Sequence, residues 1–215
     1  MKRVVIVFLV LVIVALGAWK LGFFGKKDDK PSRPKDQPIA VSKHSESFNQ
    51  SVMKAMDAYY ALTESFVNWD TAKVNSSIAG LKISVDSMRI FEMEKDSVEL
   101  YETAKTFWGS IKDEIHGMQL DTSLYEKREA LNMLTDHLYN LLRTVKYDVA
   151  RVYYHECPMA LNNNESSAFW LSTDGNRKNL RNPYLGLHDP KYGKSMLTCG
   201  ATRDSINFVT TPAGK

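Results

Sequence analysis

SLYEKREALNMLTDHLYNLLRTV, residues 123–145, reads as a single amphipathic helix. Leu131, Leu134, Leu138, Leu141 and Val145 recur three or four positions apart, and the repeat carries on to Val149. Ser123 followed by Glu126 has the spacing of a capping box. Three more runs of this kind lie upstream. They are Phe48, Val52, Met56, Tyr59, Thr63 and Phe66; then Val74, Ile78, Leu81, Val85 and Met88; then Val98, Tyr101, Trp108, Ile111, Ile115 and Met118. No proline interrupts Ser45 to Ala150. Asn68 to Asp70 ends one helix and caps the next, and Gly117 suits a C-terminal stop. Short connections predict antiparallel neighbours, hence an up-down four-helix bundle over 45–151. His116 and His137 fall on different helices and no Glu-x-x-His pair occurs, so the bundle pattern offers no di-iron site.

The chain of 215 residues suits one or two domains. Val4 to Trp19 has no polar side chain, and the apolar character resumes after Lys20 through Phe24. The whole stretch is about 21 residues, near the ~20 that span a bilayer. Lys2 and Arg3 supply the positive start that an anchor or a signal peptide requires. Ala15 and Gly17 leave signal cleavage open, while Trp19, Phe23 and Phe24 suit a retained anchor at the membrane interface. Pro31, Pro34 and Pro38 among charged residues make 26–44 a spacer. Residues 1–25 are thus expected to tether the body at the membrane through 4–24, on the extracytoplasmic (periplasmic) side.

Charge divides at the same place. Residues 1–35 carry eight basic and two acidic side chains, a net of +6, which leaves −3 on the body of a chain whose total is +3. A mildly acidic body argues against nucleic acid as a partner, because phosphate binding needs a basic face.

Residues 152–210 differ in character, with Pro, Gly, Asn and aromatics throughout. The overall expectation is a mainly α chain: a bundle followed by a small irregular α+β module rich in Cys, Met and His. Val152 to Met159 reads as a strand running into a turn, and alternation places His155, Cys157 and Met159 on one face. Met196 and Cys199 lie three apart, and Gly200 permits a sharp exit. Both cysteines of the chain lie in these two segments, each near a methionine. Thiolate, thioether and imidazole form a soft set that selects monovalent copper or silver; zinc takes His and Cys but has little use for thioethers. Two cysteines in an oxidising compartment equally form a disulfide. A cysteine nucleophile served by His155 lacks an oxyanion loop and an orienting carboxylate, so no enzyme is expected.

The elements Tyr154 to Ala160, Ala168 to Ser172, Asn182-Pro183-Tyr184 with Gly186, and Met196 to Gly200 resemble a bacterial extracytoplasmic domain of unknown function. That domain occurs alone behind a signal or anchor, and fused to periplasmic adaptor subunits of copper/silver RND efflux pumps. The resemblance implies heavy-metal handling, with His155, Cys157, Met159, Met196 and Cys199 as the ligand set. Pro158, Asn182, Pro183, Tyr184 and Gly200 would shape the site. Leu187 to Tyr192 departs from the pattern as an insertion, so His188 inherits no role.

Two functions follow from these readings. One is a tethered copper-binding accessory protein that sequesters metal or passes it to an efflux component. The other is a disulfide-capped structural or interaction domain of the cell envelope without metal. Both require an extracytoplasmic body. A reporter fused after Lys215 is therefore expected to be active only when it is of the kind that works outside the cytoplasm.

Overall fold

Each apolar run becomes a helix, and in every case the residue before it supplies the cap. The computed structural model describes residues 44–95 and 97–209. Helix α1 spans Glu46–Val67, with Ser45 accepting from the Phe48 N–H. Helix α2 spans Thr71–Asp86 behind Asp70, α3 spans Val98–Leu120 behind Ser97, and α4 spans Leu124–Thr144 behind Ser123. At α4 both halves of the Ser123–Glu126 capping box form. Each cap satisfies an N–H that the helix itself leaves orphaned.

Two expected boundaries move. Gly117 does not stop α3, which continues to Leu120 with Asp121 at its C-cap. The terminal carbonyls there have another partner: Lys127 Nζ donates to Met118 O at 2.6 Å and to Asp121 O at 2.7 Å. Helix α4 ends at Thr144, so Val149 lies beyond it and is exposed.

Consecutive helices pack on one another. The α2–α3 connection contains a short 3-10 segment, Ile90–Lys95, that buries Ile90 and Met93. Trp108 on α3 donates to the Val85 carbonyl near the end of α2 at 2.8 Å.

Three strands follow: β1 Val152–Leu161, β2 Ser166–Ser172 and β3 Ala201–Ile206. The sheet order is β2-β1-β3, with both neighbours antiparallel to β1. One face, carrying Tyr154 and Phe169, lies on α4. Tyr154 stacks between Phe169 (4.9 Å between centroids) and Tyr139 of α4 (4.3 Å), and its hydroxyl donates to Asp136 at 2.5 Å. The opposite face, with His155, Cys157 and Trp170, is covered by the segment 173–200.

The outer edge of β2 meets the helices. Phe169 N–H donates to Asn132 Oδ1 at 2.8 Å, and Leu171 N–H donates to the Tyr59 hydroxyl at 3.1 Å. Tyr59 in turn meets Thr135 Oγ1 at 2.8 Å, and Thr135 donates to Leu131 O. Tyr59 and Thr135 are fully buried. Helix and sheet therefore share one continuous apolar core, from Phe48 on α1 to Trp170 and Ile206 in the sheet. The described residues form one compact unit.

The leader (1–25) and nearly all of the spacer (26–44) lie outside the described residues. Among the described residues, no helix is long and apolar enough to cross a membrane.

Removing only the Tyr59 hydroxyl keeps the ring but strands the Leu171 N–H in the core. Tyr59→Phe should cost about 1–3 kcal/mol, the penalty of an unpaired buried donor. Urea unfolding followed by circular dichroism measures it; an unchanged midpoint would mean that the edge contact contributes nothing.

Candidate functional site

Strand β1 places His155 and Cys157 side by side on the covered face, as strand alternation requires. Both are fully buried. Pairing with β2 shifts register between Cys157 and Leu161. Pro158 sits in that interval, exposed and with no N–H for the ladder, where proline is tolerated in a strand. Met159 lies past the irregularity and is only half-buried.

The second segment folds as a 3-10 turn, Lys194–Met196, followed by Leu197 and Thr198. The Cys199 N–H closes back on Met196 O at 2.9 Å. Gly200 then takes φ 137, and a Cβ there would stand 2.7 Å from both the Glu156 carbonyl oxygen and the Trp170 ring. Only glycine lets the chain pass this close to β1 before it turns into β3.

Cys157 and Cys199 are joined by a disulfide, with Cα atoms 5.6 Å apart and a sequence separation of 42. Of the two readings of the cysteine pair, the structure has the disulfide. In this state neither sulfur is a thiolate, which is the form that binds metal. Among the described residues, no group of three or more His, Cys, Asp or Glu is placed to hold a metal ion.

His155 is also fully engaged. Its Nε2 lies 2.7 Å from Ser172 Oγ and its Nδ1 lies 3.1 Å from Thr202 Oγ1. Ser172 donates to Asp174 O at 2.8 Å, so its oxygen is left to accept the Nε2 proton. Thr202 shares its one proton between Nδ1 and the Gly175 carbonyl, 3.2 Å away, so each ring nitrogen has a hydroxyl partner. The ring also lies 5.2 Å from Trp170. Burial pulls its pKa below the ordinary histidine value, opposed by Asp174. Ser172 and Thr202 carry no signal of this role in the sequence, because their positions opposite His155 depend on strand register.

Asn182 organises the covering segment. It is fully buried and uses every polar group it has. Its N–H donates to Leu197 O at 2.9 Å and its Nδ2 to Cys199 O at 3.1 Å. Its Oδ1 accepts from Tyr184 N at 2.8 Å and Leu185 N at 3.2 Å. One side chain thus shapes the Asn182-Pro183-Tyr184 turn and hangs the cysteine segment from it. Tyr184 stacks edge-on to Trp170 at 6.4 Å, and its hydroxyl donates to Phe169 O. Pro183 O accepts from Arg128 Nε at 3.2 Å. His188 is exposed, immediately before the turn bridged by Asp189 and Gly193.

No protein-family model, curated protein or solved structure matches the chain.

The histidine predicts acid sensitivity. Its folded pKa is depressed, while in the unfolded chain it takes a proton near the ordinary value of about 6.5. Its stabilising contribution is full above that value and is lost as pH falls below it, because the unfolded state then binds more protons. Urea midpoints should therefore drop between about pH 7.5 and about pH 5. His155→Gln should show a shallower drop across the same window, whatever its absolute stability; equal slopes would refute the assignment.

Proposed function

We propose that this chain is an interaction domain of the cell envelope, tethered outside the cytoplasm by its apolar leader. Its four helices serve as an up-down scaffold, and a disulfide fastens the C-terminal segment over the sheet. The partner is another envelope protein. The observation that carries this reading is the Cys157–Cys199 bond beside a His155 whose two ring nitrogens already have partners. Disulfides persist in oxidising compartments, which agrees with a positive, apolar start to the chain. In the chain-entropy model, closing a loop of this length stabilises the fold by roughly 4 kcal/mol. No catalytic role is proposed.

Copper handling, for sequestration or passage to an efflux component, stands as a second reading of the reduced protein. What favours it is proximity: Cys157 and Cys199 are already adjacent, and Met196 is hydrogen-bonded through its carbonyl to the Cys199 N–H. Reduction would leave two soft thiols beside a thioether, a set suited to monovalent copper or silver and less to zinc.

Thiol titration of the denatured full chain without reductant should find no free thiols. Cys199→Ser should cost about 2–5 kcal/mol in urea unfolding. Met196→Leu, which keeps volume and packing, should be neutral. The reduced wild type and reduced Met196→Leu should bind monovalent copper alike, and weakly. Tight binding by the reduced wild type that Met196→Leu weakens would reverse the choice in favour of copper.

A further inference from the structure

A cleft of about 370 Å³ opens where the α1–α2 corner, the first turn of α4, the β1–β2 turn and the segment after Tyr184 meet. It lies apart from the disulfide, and two independent features converge on it.

The first is a buried cation. Arg128 lines the cleft and is 4% exposed. Its guanidinium lies 4.0 Å from the Trp69 ring centroid and 5.5 Å from that of Phe66. Its protein partners are three carbonyls, Pro183 at 3.2 Å, Phe66 at 3.4 Å and Leu124 at 3.5 Å, the last two long. Among the described residues, no carboxylate comes within ion-pair distance of it. Asp189, on the cleft wall, has its Oδ1 committed to the Lys191 and Tyr192 N–H groups. Other arginines here are paired at the surface: Arg181 with Glu64, Arg203 with Glu156, Arg89 with Glu92. A guanidinium has five donors, so two N–H groups remain after the carbonyls are counted. Burial lowers the pKa to about 10, opposed by the negative charge of Asp189 across the cleft, so the group stays charged near neutrality.

The second feature is the wall opposite. Asn162, Asn163 and Asn164 take φ values of 50, 55 and 74, three left-handed residues in succession. Asparagine tolerates this region better than other non-glycine residues, yet each such residue still carries strain. An antiparallel pair can be joined by two residues, so the connection alone does not demand this run. Its effect is to hold Asn162 and Asn163 along the cleft, with the Asn162 N–H on the Tyr125 hydroxyl at 3.3 Å. That hydroxyl keeps its own proton to donate.

We propose that the cleft binds a small organic carboxylate. The carboxylate seats on the free N–H groups of Arg128, and the neutral polar body of the ligand lies against Asn162, Asn163 and the Tyr125 hydroxyl. A planar fork of donors matches a carboxylate in a way that a point charge does not. The same chemistry is presented by a sugar acid and by the C-terminus of a peptide.

Glucuronate and alanylalanine are the probes, titrated separately into the full chain in detergent, with the Trp69 indole N–H followed by NMR. At least one should shift that resonance saturably. Its methyl ester should bind at least about tenfold more weakly, the difference that about 1.4 kcal/mol makes. Response to glucuronate alone identifies a sugar acid, response to the dipeptide alone a peptide terminus, and response to both the shared carboxylate. Asn163→Gly relieves the left-handed strain while removing the amide. It should keep or raise the melting midpoint and weaken binding severalfold, as should Tyr125→Phe at unchanged fold. Absence of a saturable shift with either probe overturns the proposal. So does an ester that binds as well as its acid, or unchanged affinity in both variants. None of these results depends on the redox state of Cys157 and Cys199.

Discussion

A three-stranded sheet has two edges, and an unpaired edge inside a core would strand backbone donors. In this chain the β2 edge faces the helices, and the fold depends on how its N–H groups are met there. Leu171 N–H, Tyr59 hydroxyl, Thr135 hydroxyl and Leu131 carbonyl form one chain of hydrogen bonds from strand to helix interior. Asn132 meets the Phe169 N–H one residue pair away, and Tyr184 donates to the Phe169 carbonyl. These contacts fix the sheet's position along α4, because a shift of one residue would orphan every group at once. The edge of β3, which has no strand beyond it among the described residues, carries mostly exposed residues instead.

With the β2 edge fixed, the covered face of β1 is determined, and the disulfide follows from it. Cys157 faces away from α4, under the segment that Asn182 organises. Gly200 lets that segment approach the β1 backbone, and Cys199 arrives one residue earlier, within reach. His155 lies two residues along, at the same depth, and needs polar partners because it is fully buried. Ser172 and Thr202 come from the flanking strands and meet one nitrogen each. The bond fastens the covering segment to the sheet, and the histidine network ties the three strands to one another.

The helices were legible from apolar periodicity, and the caps read at Asp70 and Ser123 are local, each acting within four residues. The strand at His155 was legible from alternation, and the closeness of Cys157 and Cys199 was open to inference from their shared neighbourhood. What the sequence hid is non-local. The register shift between Cys157 and Leu161 depends on pairing with β2, which no single segment specifies. Gly117 reads as a stop, yet α3 passes through it because the carbonyls beyond find Lys127. The partners of His155 lie 17 and 47 residues away.

Lys127 and Arg128 show the same point most sharply. Glu126-Lys127-Arg128-Glu129 looks like a solvated charged patch on an amphipathic helix, where adjacent charges usually face water. Both cations are buried, at 3% and 4% exposure. Their positions at the start of α4 explain why. The end of α3 lies beside Lys127, and its unpaired carbonyls carry the negative end of the helix dipole, so an ammonium is favoured there. Arg128 points to the end of α1, where the Phe66 carbonyl lies in the last turn, and to Pro183 in the covering segment. One residue therefore joins two helices and the C-terminal segment. The compensation differs between the pair: Lys127 takes close carbonyls at one helix end, whereas Arg128 takes longer ones from three segments around an open cleft. A cation held by weak neutral acceptors beside open space retains capacity for an anion, and its neighbour does not.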